Sequence, residues 1–319
     1  MSLTVPAGSH DSGTSDLTAW KGISPDEPEE LRVEMTIGCW LGCCLFTSFV
    51  KKWSKCQALD IGQQLVAGVR YLDLRVASNR CSRGNDTILC VHGFYGREIG
   101  EYMKHVKQFL DDHRNEVVLL DFNHFYQMDR QHHEQLAICL KSSFGAMLCK
   151  YSPPFSFEDL TVNKLCQAGT RVIVFYHGHG ADDLPEQCSE FWPSSTIDSF
   201  SSWAQTADLE TWKRRQRSLA PQRHSADRFY VCQGVLTPDS DLIKKNWFFT
   251  LCYCGRKGTL KTECADPINR ELQDWIPTDV ASGAGGVIYF ADFVDQRFVR
   301  CVIDQNRYID EENKAGGTQ

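Results

Sequence analysis

Along the chain, short apolar runs alternate with stretches in which apolar side chains recur every three or four positions. The runs are LTVPA (3–7), VRYLDLRV (69–76), ILCVH (88–92), EVVLLDFNHF (116–125), RVIVFYH (171–177), FYVCQGVL (229–236) and GVIYFADF (286–293). Each has strand length and is rich in β-branched and aromatic residues. Ile99, Tyr102, Met103, Val106, Phe109 and Leu110 trace one helix face, and Ala58, Ile61 and Leu65 another before Gly68 ends it. Strand followed by helix, repeated, predicts an α/β protein with a parallel sheet or barrel. Seven strands are visible and the stretch 182–228 has room for one more, so the pattern predicts an irregular eight-stranded barrel. No internal repeat or composition break interrupts it. One domain is expected over 1–308, with a disordered polar tail at 309–319.

Period-two alternation sorts the strands into faces. In the second run Val69, Tyr71, Asp73 and Arg75 share the inward face, while Arg70, Leu72, Leu74 and Val76 meet the helices. In the fourth, Val117, Leu119, Asp121 and Asn123 turn inward. Polar groups therefore gather at strand C-termini, where barrel enzymes keep their chemistry. His10 follows the first run, His92 ends the third and Asp292 closes the last. Two imidazoles can serve as general base and general acid because they titrate near neutral pH. An arginine between them can hold a phosphate oxygen by charge-assisted hydrogen bonds. The set suits phosphodiester cleavage.

A net charge of −7 argues against nucleic-acid binding, and a charged share of 24% with 42% hydrophobic residues is that of an ordinary folded protein. The fifteen cysteines have no framework spacing, and the start has no basic and then apolar leader, so a reducing, cytoplasmic setting is expected. The sequon at Asn85 is then unused. MTIGCWLGCCLFTSFV (35–50), followed by Lys51 and Lys52, is shorter than the roughly 18 to 20 residues of a bilayer span. It reads as a buried helix, or as a peripheral membrane contact through 35–52 with Trp40 as anchor. Cys39, Cys43 and Cys44 offer thiols for acylation.

The ordered segments GSHDSGT (8–14), QALDIGQQLVAGVRYLDLRV (57–76), VHGFYG (91–96), FLDDHRNEVVLLDFNHFY (109–126), VFYH (174–177), QGVLTP (233–238) and ADFV (291–294) resemble the X domain of phosphatidylinositol-specific phospholipase C. The likeness is strongest to the stand-alone X-domain proteins of animals. It implies a distorted (β/α)8 TIM barrel. It also implies a phosphoinositide phosphodiesterase, in which the inositol 2-hydroxyl attacks its own phosphate and diacylglycerol leaves. By position, His10 would be the base, held by Asp292, and His92 the acid, assisted by Asp11. The signalling members bind calcium where this chain has Asp11, Asp73, Arg75 and Asn123. An arginine in that set implies a calcium-independent site with no metal or cofactor, as in the bacterial enzymes. Tyr176 and Gln233 fall near the family's substrate-binding strands and, with Asn123, are the expected substrate contacts.

Other signals are weaker. His177 and His179 with Asp182 and Asp183, and Cys252 and Cys254 with Cys264, lack recognised metal spacing and read as loops. His132 and His133 read as solvated, as does the basic run Lys213–Arg217. Two other readings of the whole chain remain: a glycerophosphodiester phosphodiesterase, and a catalytically weak phosphoinositide-headgroup-binding protein on the same barrel.

Overall fold

The computed structural model describes residues 5–27, 44–79, 86–153, 160–178, 184–223, 228–251, 258–281 and 287–316. The expectations at Trp40, Cys39, Cys43, Asn85, His179, Asp182, Asp183, Cys252 and Cys254 lie outside the described residues. In chain order the strands are β1 (Ala7–Ser9), β2 (Thr18–Ile23), β3 (Tyr71–Asn79), β4 (Thr87–His92), β5 (Phe94–Glu98) and β6 (Val118–Tyr126). They continue as β7 (Val172–Tyr176), β8 (Trp192–Pro193), β9 (Ile197–Asp198), β10 (Phe229–Gly234) and β11 (Val287–Ala291). The helices are α1 (Cys44–Ser54), α2 (Ile61–Ala67), α3 (Ile99–Asp112), α4 (Arg130–Phe144) and α5 (Val162–Ala168). After them come α6 (Leu209–Leu219), α7 (Ser240–Leu251), α8 (Asp266–Ala281) and α9 (Gln296–Gly316).

Eight strands pair in parallel in the order β9, β10, β11, β1, β3, β6, β7, β8, which is the ring of a (β/α)8 barrel. Among the described residues no pairing joins β8 to β9, so the ring is distorted and open at that seam. Two expectations change. The stretch 182–228 supplies two ring strands rather than one, β8 and β9, of two residues each and too short for any apolar run to announce. And ILCVH is not a barrel strand: β4 runs antiparallel to β3 and continues through β5 and β2 as an antiparallel ribbon. Composition marks a strand but carries no information about its direction.

The alternation holds inside the ring. Tyr71, Val117, Leu119, Ile173, Phe175, Trp192, Phe229, Val231, Ile288 and Phe290 fill the barrel, while Leu72, Leu74, Val76, Leu120, Phe122, Val172 and Val174 pack outward. Burying side chains of this size contributes about 1.5–3 kcal/mol each. Val69, expected inside, packs outward because it precedes β3. Asp60 opens α2 with a reciprocal cap, its side chain accepting from the Gln63 N–H while the Gln63 side chain accepts from the Asp60 N–H, and Gly68 closes it at φ 112°. Ala58, placed on that helix face from sequence, lies before the cap and is exposed. On α3 all six residues of the expected stripe are buried.

β1 starts later than LTVPA suggested and runs into the glycine and serine. Gly8 makes this possible: a Cβ there would lie 2.8 Å from Phe290 and Tyr71, so only a bare backbone fits between β11 and β3. At the other end the expected tail is helical as far as Gly316, since its Glu, Lys and Ala residues are good helix formers. His132, expected in solvent, is buried against Asp129 and Asp86, and His133 accepts or donates at the Tyr176 hydroxyl, 2.6 Å away. Among the described residues, Cys56, Cys90, Cys139, Cys149, Cys166, Cys188, Cys232, Cys264 and Cys301 are free thiols. No described helix is long and apolar enough to cross a membrane. α1, which overlaps the segment 35–52, buries Phe49 and, just past it, Trp53, leaves Lys51 and Lys52 exposed, and packs Phe46 and Phe49 on Trp247 of α7.

Candidate active site

One edge of β3 is shared by two strands running in opposite directions. β1 pairs with its start, Ser9 opposite Leu72, and β4 pairs with its end, Cys90 opposite Val76. Between them the edge beside Asp73, Leu74 and Arg75 is left free, and His10 and His92 enter this gap from opposite sides. Their ring centroids are 6.4 Å apart, nearly edge to face. The antiparallel direction of β4, missed from sequence, is what turns the second imidazole toward the first.

The chain reverses after His10 by placing Asp11 at φ 43°, a left-handed conformation that aspartate tolerates better than most residues. The Asp11 N–H then donates to Asp73 Oδ2 at 2.8 Å, and its carboxylate sits at the centre of the cluster. Asp11 Oδ2 is 3.3 Å from His10 Nε2 and 3.4 Å from His92 Nε2, and Oδ1 is 2.9 Å from Arg75 Nε. Buried though it is, the carboxyl is held well below the usual range by Arg75, His92 and His10. Arg75 is correspondingly pushed up: burial opposes its charge, but Asp11 and Asp73 outweigh that.

His10 Nδ1 lies 2.8 Å from Asp292 Oδ1, and the ring stacks on Phe290. Arg75 Nη2 reaches His10 Nε2 at 2.8 Å, which requires an unprotonated Nε2 and hence the Nδ1–H tautomer. The charges around it pull the other way. Burial disfavours the imidazolium, yet Asp11 and Asp292 push the ring up to about 9. An anion that draws Arg75 away from Nε2 therefore exposes a strong base. His92 Nδ1 is 2.6 Å from the Ser54 carbonyl, which can only accept, so Nδ1 carries hydrogen and Nε2 is the working atom.

The alternation of β6 breaks where it meets the site. Leu74 pairs with Phe122 but Arg75 pairs with His124, so Asn123 is an extra residue in a bulge. Its amide donates to Asp73 Oδ1, while its oxygen meets His124 Nδ1 at 2.8 Å. His124 thereby joins the cluster, and burial together with Arg75 lowers its pKa.

Of the expected residues, His10, His92, Asp11, Asp73, Arg75, Asn123 and Asp292 are brought together. Tyr176 is not: it packs outward among Phe125, Phe191 and His133, and the inward position one residue later belongs to His177. His177 Nε2 is 2.7 Å from Asp121 Oδ1, and Tyr71 donates to the other Asp121 oxygen. Gln233 does reach the interior, but its amide donates to the Ser199 carbonyl of the neighbouring loop. Sequence reading missed Cys56 and Gln57. The Gln57 amide donates to the carbonyls of His10 and Ala291, at 2.7 and 2.9 Å, and Cys56 lies beneath both imidazoles. Both sit in a loop with no periodicity to mark them.

A calcium ion, which takes roughly six to eight oxygens, does not fit this donor set. Both Asp73 oxygens accept from Asp11 and Asn123, and the Arg75 guanidinium already spans Asp11 and Asp73. The donors that remain near one another are mixed imidazole, thiol and carboxylate.

The family model described as PI-PLC X 1 matches residues 46–193, from α1 to β8. Over 314 residues, 98% of this chain and 90% of the relative, the sequence is 30% identical to PI-PLC X domain-containing protein 3 of Bos taurus. The chain belongs to the PI-PLC X domain-containing proteins. Another X-domain relative, PI-PLC X domain-containing protein 2 of Mus musculus, is also 30% identical, over 97% of this chain and 84% of its own length. Among solved structures, the phosphatidylinositol-specific phospholipase C of Listeria monocytogenes shares the fold, with a TM-score of 0.60 over 94% of this chain and 92% of that one, at 12% identity. The X-domain match covers Asp73, Arg75, His92 and Asn123; His10 and Asp292 lie outside it and join the same cluster through β1 and β11.

Proposed function

We propose that this X-domain protein is a phosphoinositide phosphodiesterase of the phospholipase C type, independent of calcium. The supporting observation is the pair of imidazoles facing each other across Asp11, with Arg75 between them. His10 Nε2 takes the proton of the inositol 2-hydroxyl as that oxygen bonds to phosphorus, and Asp292 stabilises the imidazolium through Nδ1. His92 Nε2–H gives its proton to the glycerol oxygen as the phosphorus–oxygen bond breaks, releasing diacylglycerol and a cyclic inositol phosphate. Arg75 neutralises the charge that grows on the phosphoryl oxygens, the task a metal ion would otherwise perform. Asn123 holds Asp73, and Asp73 holds the Asp11 backbone, so the acidic residues orient the site. The expected setting is cytoplasmic, with peripheral membrane contact through 35–52.

Purified protein should release cyclic inositol phosphate from phosphatidylinositol vesicles, equally with and without a calcium chelator. His10→Ala and His92→Ala should each lower kcat about 10²–10⁴-fold while the protein remains folded by circular dichroism. Vesicle binding without turnover would replace this reading by a headgroup-binding protein. Turnover that needs calcium would mean that Arg75 does not take the place of a metal ion.

A further inference from the structure

The loop between α1 and α2 brings into the cluster a group for which the reaction has no use. Cys56 is fully buried, with Sγ 3.7 Å from Asp11 Oδ2 and 3.7 Å from His92 Nδ1. Its backbone is clamped on both sides. The Cys56 and Gln57 N–H groups donate to Thr14 Oγ1 at 3.1 and 3.0 Å, and the Phe293 N–H donates to the Cys56 carbonyl at 2.6 Å. The sulfur is thus held in place beneath the two rings.

One ligand atom each from Asp11, Cys56 and His92 lie within 4.8 Å of one another, and the same is true of His10, Cys56 and Asp292. A tetrahedral zinc ion, with bonds of about 2.0–2.3 Å, spaces its ligand atoms roughly 3.3–3.7 Å apart. His92 Nε2, the nitrogen left free by the Ser54 carbonyl, is 3.4 Å from Asp11 Oδ2, and Cys56 Sγ is 3.7 Å from the same oxygen, so both separations at Oδ2 already match that spacing. We propose that Cys56, His92 and Asp11 form an inhibitory site for a borderline-soft divalent cation such as Zn²⁺, inside the catalytic cluster. The inhibition, though not the binding, rests on His92 being the proton donor of the proposed reaction.

Binding exchanges a proton for the metal: the Cys56 S–H bond breaks, a sulfur–metal bond forms, the proton leaves to water and no electron is transferred. With its lone pair bound to metal, His92 Nε2 carries no proton to deliver to the departing glycerol oxygen. Arg75 does not close the site, because it pairs with Asp11 Oδ1 while the thiol and His92 face Oδ2. Asp73 and Asp292 add negative charge nearby. Hard cations are excluded by the same donors, since calcium and magnesium prefer oxygen to thiolate and imidazole.

Cobalt(II) is the probe, read by its thiolate-to-cobalt charge-transfer absorption. Wild-type protein should show that band, lose it to a chelator and lose it to added Zn²⁺. Cys56→Ser and Cys56→Ala should lack it while keeping the wild-type Tm and basal turnover. Zn²⁺ should inhibit the wild type at a concentration lower than either variant requires by about tenfold or more, and calcium should not inhibit. Absence of the band, or equal zinc sensitivity in all three proteins, overturns the proposal. Should the wild type show no turnover, the phosphodiesterase reading fails and the cobalt band alone decides the site.

Discussion

On one side of the strand ring, β11, β1, β3 and β6 pair edge to edge, with β3 and β6 paired from Tyr71 to Ala77 across the single bulge at Asn123. On the other, β8 and β9 are two residues long and do not pair with each other. His10, Asp11, Asp73, Arg75, Asn123 and Asp292 all belong to the first side. The second contributes Gln233, held by the Ser199 loop, and Phe200, which packs edge to face on His124 and His177. Proton transfer needs atoms fixed to a fraction of an ångström, and backbone paired on its edges supplies that. The irregular side lines the space beside the chemistry.

The largest test of this contrast compares Arg75→Ala with Gln233→Ala. Arg75→Ala should lower kcat by about 10²–10³-fold, whereas Gln233→Ala should change kcat/KM by less than about tenfold. Equal losses in steady-state assays would erase the distinction between the sides. Stability should divide in the same way. Leu74→Ala, in the tightly paired half, should cost about 2–5 kcal/mol in denaturant unfolding, and Ile197→Ala, where the seam can relax into the space, should fall at or below the lower end of that range. A larger cost at Ile197 would mean the seam is as firmly packed as the paired side.

The pH dependence probes the paired side by itself. Only neutral His10 can accept a proton, so the ascending limb of kcat/KM should lie near 9. Asp292→Asn removes one of the raising charges and should move that limb down toward the ordinary histidine value of about 6.5. The same shift makes a stability statement. A histidine pKa raised on folding stabilises the fold fully below about 6.5, and that contribution is lost as pH rises through about 9. Wild type and Asp292→Asn should therefore differ most in unfolding free energy at acidic to neutral pH and converge above 9. The smallest effect is expected at the α2 cap, where Asp60→Ala should cost about 1 kcal/mol and leave kcat unchanged.

Much of the site was legible because it rests on strands that obey a two-residue period. That period placed Asp73, Arg75 and Asp121 inside, and the short turns after the runs placed His10, His92 and Asp292 at strand ends. It failed where the backbone departs from the period or where the signal lies elsewhere. The bulge at Asn123 brings His124 into the cluster as well. On β7 an offset of one residue exchanged Tyr176 for His177, and period alone gives the sorting but not its starting point. The direction of β4 depends on its pairing with β3, a contact between residues far apart in sequence. Cys56 and Gln57 act through hydrogen bonds of a loop, which no hydrophobic pattern records.

Gln57 makes the base's surroundings separable. Because its amide clasps the His10 and Ala291 main chains directly, the distance between imidazole and carboxylate is kept by a third segment and does not depend on their own hydrogen bond. An isosteric change at 292 consequently alters the electronic character of His10 with little displacement of it, so this protein offers a natural frame for measuring what a buried negative charge does to a catalytic ring.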